Sequence, residues 1–141
     1  MPQLPMYQGV VNSPQTELAA PIDATQDTIP LLDASVLPPA PNLATLGSGE
    51  NAETVLYTGV DGNMLIGVTR GFQGTAKAWA AGTKVARLFT AYDWDSARQN
   101  IEDHETRIDQ NTAAMQQVAG ALNAHLNDNV RHVTQADKDK W

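Results

Sequence analysis

The chain has 141 residues and no cysteine, with 42% hydrophobic, 18% charged and only 6% aromatic residues. This is globular composition with a modest aliphatic core, and it excludes disulfides, thiolate metal sites and thiol nucleophiles. A net charge of −7 and a pI near 4.7 lack the basic footprint of a general nucleic-acid binder.

No run of about 18 apolar residues is present to cross a bilayer. The opening MPQLPMYQGVVNSP has neither a basic n-region nor an apolar h-region, so no secretory signal is expected. Met1–Pro5 reads as a mobile arm and Tyr7–Val11 as a first short strand, followed by a turn at Asn12-Ser13-Pro14 and by Thr16–Ile22. Pro21–Leu37 sets two apolar stretches across a polar linker, which predicts a hairpin. Pro38, Pro39 and Pro41 then interrupt the chain, and Leu43–Leu46 reads as another strand before the Gly47–Asn51 turn.

The densest hydrophobic patterning lies in Glu53–Thr90. Thr54–Val60 alternates, with Val55, Tyr57 and Gly59 on one face and Leu56 on the other. Asp61-Gly62 signals a tight hairpin, and Met64–Val68 returns. Ala76–Ala81 reads as one helical turn or a loop. Thr83–Phe89 alternates again, with Val85, Arg87 and Phe89 on one side. Residues 1–90 are therefore expected to form a small, mostly antiparallel β-domain. All seven acids before Thr90 precede Arg70, the first of its four cations. That order suits charge pairing within one sheet or an oriented docking surface, and equally a solvated charge distribution.

After Thr90 the period lengthens to about 3.5, with Asp93 or Asp95 as the expected helix cap. Trp94, Ile101, Ile108, Met115 and Leu122 recur every seven residues, accompanied by Ala97, His104, Asn111, Val118 and His125. This reads as a heptad with one strong apolar position (d) and one mixed position (a). The stripe is narrow and sustained, so residues 91–126 are expected to form a coiled-coil stalk helix about 50 Å long. A parallel trimer is favoured, because its wider core accommodates His104 and Asn111. The fold class is thus α+β. Residues 127–141 are read as a turn and a short terminal helix, with a capping-box spacing from Thr134 to Asp137.

No catalytic constellation emerges, and no enzyme, cofactor or metal is expected. His104, His125 and His132 raise a metal reading, but no second ligand lies nearby except outward-facing acids, so a polar layer is the better account. Gly67, Gly71 and Gly74 ahead of Lys77 miss the phosphate-loop spacing, which requires adjacent Gly-Lys. The serines have no nucleophile-elbow setting. Tyr57, Phe72, Trp79 and Phe89 suit a core or an inter-subunit contact better than a sugar-stacking surface, although a cell-wall glycan module using Trp79 and Tyr57 is the alternative reading. Arg70, Phe72, Trp79 and Arg87 are the expected docking-surface residues.

Residues Tyr7–Asp95, and most specifically Thr69–Thr83 (TRGFQGTAKAWAAGT), resemble the N-terminal region of tail-fibre or baseplate-associated structural proteins of tailed bacteriophages and phage-tail-like particles. HVTQADKDKW at His132–Trp141 is similar to a short recurrent element of Gram-positive phage fibre proteins. The resemblance implies a homotrimeric virion protein, made in the host cytoplasm. Its β-domain would attach to other tail or baseplate proteins, and its stalk would lead toward a receptor-binding end. Such fibres often continue past the stalk. With Trp141 last, the chain reads as a short adaptor, as part of a longer fibre, or as the support of a separate receptor-binding protein.

Overall fold

The computed structural model describes residues 3–127 and Asp139. It consists of antiparallel sheets followed by one long helix, an α+β arrangement. The chain divides into two compact units, one of residues 4–97 and the other carrying the residues from Arg98 onward together with Gln3.

The larger unit contains eight strands: β1 (Gln15–Glu17), β2 (Ile29–Pro30), β3 (Asn42–Leu46), β4 (Glu53–Tyr57), β5 (Gly59–Asp61), β6 (Met64–Ile66), β7 (Thr69–Gln73) and β8 (Lys84–Ala86). The main sheet has the order β1-β8-β3-β4-β7, and a smaller one has the order β2-β6-β5. All pairings are antiparallel. Alternation along β4 turns Val55 and Tyr57 inward, and the register sets Ala44 opposite Val55 and Leu46 opposite Val85. Leu18, Ile29 and Leu65 meet these residues in one hydrophobic cluster, so the two sheets share a single core.

Several expectations change. Tyr7–Val11 is not a strand, because buried Arg87 takes the Tyr7 and Gln8 carbonyls and Asn12 and Ser13 adopt positive φ. The described part of the arm is tied down: the Tyr92 hydroxyl donates to the Pro5 carbonyl, and Gln3 Nε2 donates to Asp103 Oδ2 at 3.0 Å. Pro21–Leu37 does not pair with itself. Its polar centre is an Asx turn in which Asp23 Oδ1 accepts from Thr25 and Gln26, and Ile29–Pro30 pairs instead with β6. The hairpin between β5 and β6 forms as expected, but one residue later. Asp61 pairs with Met64, leaving Gly62-Asn63 as the two-residue loop. Gly62 has φ +60° and Asn63 a negative φ, which makes this a type II′ rather than a type I′ turn. Ala76–Ala81 is a loop, in which Trp79 bridges to Ile22.

The helix α1 spans Ala91–Leu126, 36 residues. Its cap is Thr90, not Asp93 or Asp95. Thr90 Oγ1 accepts from the Asp93 N–H at 3.2 Å, and Asp93 Oδ2 accepts from the Thr90 N–H at 2.8 Å, a reciprocal capping box. The predicted turn and terminal helix of residues 127–141, the Thr134 box and His132 lie outside the described residues, Asn127 and Asp139 excepted.

Candidate functional site

Two buried arginines organise the larger unit. Glu53 opens β4 with its side chain wholly enclosed (0% exposed). Its carboxylate accepts from Arg70 Nε (2.8 Å) and Nη2 (2.9 Å), from the Gly71 and Lys77 N–H groups and from Trp79 Nε1 (2.9 Å). An irregularity in the sheet makes this possible. Between the Thr54–Gln73 and Leu56–Thr69 pairs, β7 runs four residues against two of β4. The extra length carries Arg70 and Gly71 over the carboxylate. Arg70 also donates to the carbonyls of Asp23 (2.5 Å), Gln26 (3.2 Å) and Lys77 (2.7 Å). Its five contacts use every N–H that a guanidinium has.

Arg87 lies just past the end of β8 and is 3% exposed. It donates bidentately to Asp93 (2.7 and 2.8 Å), and also to Asn42 Oδ1 and to the carbonyls of Tyr7, Gln8 and Leu88. It therefore joins strand end, N-terminal segment and first helical turn. Burial alone would push the Glu53 carboxyl up. Its bonds from Arg70, Trp79, Gly71 and Lys77 outweigh that and hold it below the ordinary glutamate value. Asp93 behaves likewise: burial raises it, while the Arg87 pair and the Thr90 N–H bring it below the ordinary aspartate value. For Tyr57 burial outweighs the lowering by the Arg87 charge and pushes the phenol well up, and its hydroxyl donates to the Pro38 carbonyl at 2.5 Å.

These positions show what the charge order of the sequence does. Two later cations pair with earlier acids, Arg70 with Glu53 in the interior and Lys84 with Glu17 at the surface, the latter two directly opposite across β1 and β8, while Arg87 pairs with the later Asp93. Of the four docking-surface residues, Arg70 and Arg87 point inward with all donors engaged. Trp79 is half-buried, with its indole N–H on Glu53 and Lys77 Nζ 5.0 Å from its ring centre. Phe72 is half-buried, edge-on to Tyr92 at 5.0 Å, and Tyr7 stacks on the same ring at 5.8 Å. Tyr57 has no exposed face at all. The pair named for sugar stacking is therefore not presented to solvent as a platform.

On α1 the apolar positions are open. Trp94, Ile101, Ile108, Met115 and Leu122 are between 54% and 71% exposed, and Val118 is 67% exposed. Ala97 is half-buried, while His104, Asn111 and His125 are exposed. Three residues separate Trp94 from Ala97 and four separate Ala97 from Ile101. The Trp94–Leu122 series is therefore a, and the Ala97–His125 series is d, the reverse of the lettering read above. Position g then holds Asp93, Asn100, Arg107, Ala114 and Ala121. Position e holds Arg98, Glu105, Thr112, Ala119 and Leu126. The flanks are polar early and turn small and apolar after Thr112.

Glu53, Asn42 and Thr90 escaped the sequence reading, which marks Asp93 as a helix cap rather than as the partner of Arg87. The available signal was an acid in an otherwise apolar strand, ETVLY, and a T-x-x-D spacing ahead of the heptads. Among the described residues no group of three or more His, Cys, Asp or Glu is placed to hold a metal ion. No helix among them is long and apolar enough to cross a membrane. No protein-family model matches the chain, and no curated protein matches it.

Proposed function

We propose that this chain is a homotrimeric structural protein of a phage tail, a fibre or fibre adaptor. The β-unit docks to the tail or baseplate, and α1 forms a parallel coiled coil leading toward the receptor-binding end. The observation that carries the self-association is the exposed seven-residue stripe of α1. Five large apolar side chains stand in water on one helix, and burying each contributes about 1.5–3 kcal/mol. An isolated helix of this length with such a stripe is better accounted for by pairing with copies of itself than by propensity alone. Ala114, Ala119, Ala121 and Leu126 widen the apolar face at e and g, which suits three strands better than two. In a parallel, in-register arrangement no like charges oppose each other at e and g.

The assignment to a phage tail rests on the likeness of Thr69–Thr83 and His132–Trp141 to fibre and baseplate proteins. The internal engagement of Arg70 and Arg87 makes them framework, so docking falls to the surface their loops shape. Light scattering on the purified chain tests the assembly, with a mass of three chains expected. A single-chain mass at micromolar concentration refutes it. Immunogold labelling of intact particles tests the location, and particles that carry no label at the tail refute the virion role.

A further inference from the structure

His104 stands at d in the α1 stripe, one turn after Ile101 and one turn before Ile108, and all three side chains are exposed on the single chain. Histidine is an unusual filling for a seam whose other large members are apolar. In the neutral imidazole one ring nitrogen donates a hydrogen bond and the other accepts one, whereas in the cation both only donate. It is also the side chain whose charge ordinarily changes between about pH 5 and 8.

In a parallel three-stranded seam each d side chain enters a hole formed by four residues of the next helix. For His104 these are Ile101, His104, Glu105 and Ile108 of the neighbouring copy. Three neutral imidazoles around the axis can each donate to the next and accept from the one before, so the layer satisfies itself. Three cations have two donors each and no acceptor within the layer, and they hold like charges between two layers of isoleucine. The surrounding charges do not cancel this. Glu105 borders the hole from e, at the solvated rim, where its attraction is screened. Asp103 at c and Arg107 at g pair with each other at 3.0 Å, and Asp103 also accepts from Gln3. Glu102 engages Arg98 at 2.8 Å, and Asp109 lies at b, on the outer face.

We infer that His104 makes the α1 seam a pH switch, closed while the three imidazoles are neutral and loosened by acid. This rests on the parallel homotrimer proposed above. The assembled state binds fewer protons than the separate chains, so its stability rises with pH and is lost as pH falls through the imidazole range. Each excluded proton lowers the association constant by up to about tenfold per pH unit, and three lower it by up to about a thousandfold. Sedimentation of the full chain at about pH 7.5 and about pH 5.5 tests this, both values lying above the range in which Glu53 and Asp93 titrate. The concentration of half-dissociation is expected to rise at least about tenfold at the lower pH. In His104→Asn and His104→Gln chains, neutral at both pH values, the rise should vanish, whereas His125→Asn should keep it. Wild-type protein of single-chain mass at the higher pH overturns the trimer and the switch together. A wild-type trimer whose dissociation does not move between the two pH values overturns the switch alone. So does a response that persists in both His104 variants or that His125→Asn removes.

Discussion

Replacing Glu53 by Gln probes the centre of the larger unit with almost no change of shape. The amide keeps one oxygen and presents an NH2 where the other stood. Set toward Oε2, that NH2 faces Arg70 Nε and the Gly71 N–H; set toward Oε1, it faces Arg70 Nη2, the Lys77 N–H and Trp79 Nε1. The less costly orientation still leaves two buried donors without an acceptor, at about 1–3 kcal/mol each. It also leaves Arg70 charged, 7% exposed and without its counter-ion. Breaking a buried pair from one side costs about 3–5 kcal/mol, and that range is the expected loss. A unit of this size holds about 5–14 kcal/mol in all, so the variant should sit near the edge of folding.

Urea titration followed by circular dichroism measures the change, with the slope checked for two-state behaviour. A loss under about 1 kcal/mol refutes the reasoning. A cycle with Arg70→Met sharpens it: the two single losses should exceed the double loss by about 1.5–3 kcal/mol, and strict additivity would mean that the pair is no unit. The acid limb supplies a second readout. Glu53 and Asp93 both titrate lower in the folded chain than in the unfolded one. Their contribution is therefore present above the ordinary carboxylate range and is lost as pH falls through the folded-state values. Stability should decline below about pH 4.5, and the Glu53→Gln variant should decline less steeply. Equal slopes in the two proteins contradict the assignment.

Three further outcomes are expected. Thr90→Ala removes the helix cap and should cost about 0.5–2 kcal/mol, read as a lower melting temperature at 222 nm; an unchanged melt argues against the box. Gly74→Ala places a Cβ 2.6 Å from the Ala52 carbonyl oxygen at φ +77°, and the combined strain and clash should cost at least about 1–2 kcal/mol in the same urea assay, with wild-type stability as the refuting result. Replacing Ile101 and Ile108 together by Asp buries two charged layers in the proposed seam, so light scattering should show single chains; a retained oligomer would place the interface elsewhere.

The parts of the fold legible in the sequence were those with a local period. The alternation of β4 and the long helix α1 follow local periods and appear where patterning put them, and the β5–β6 hairpin forms one residue past its signal. The misread parts depend on partners far along the chain. Tyr7–Val11 is strand-like by composition, yet it lies where Arg87, about 80 residues later, takes its carbonyls. Ile29-Pro30 reads as half of a local hairpin but finds its partner in Met64–Leu65. The same distance hid the role of the cations. Exposed guanidinium groups and buried ones look alike in a sequence, and only Glu53 at a core-facing strand position hinted that Arg70 turns inward.

That inward turn bears on how so small an aliphatic core holds a defined shape. Buried ion pairs add little net stability over a well-packed apolar substitute, so their value here must be sought in geometry. Arg70 fixes three backbone carbonyls and one carboxylate, which pins the Asp23–Gln26 turn and the Lys77–Trp79 loop to β4. Arg87 fixes the N-terminal segment, β3 through Asn42, and the first turn of α1 through Asp93. Among the described residues no buried side-chain nitrogen or oxygen lacks a hydrogen-bond partner. Each hub is therefore satisfied in one arrangement, and any slip would strand several polar groups at once. If α1 assembles with copies of itself, the Arg87 hub is what keeps its first turn, with Trp94 and Phe89, at a set place on each β-unit. An Arg87→Met variant leaves Asp93 without its counter-ion, so urea titration should show a loss of about 3–5 kcal/mol and light scattering a weaker assembly; wild-type values in both measurements refute the role of the hub.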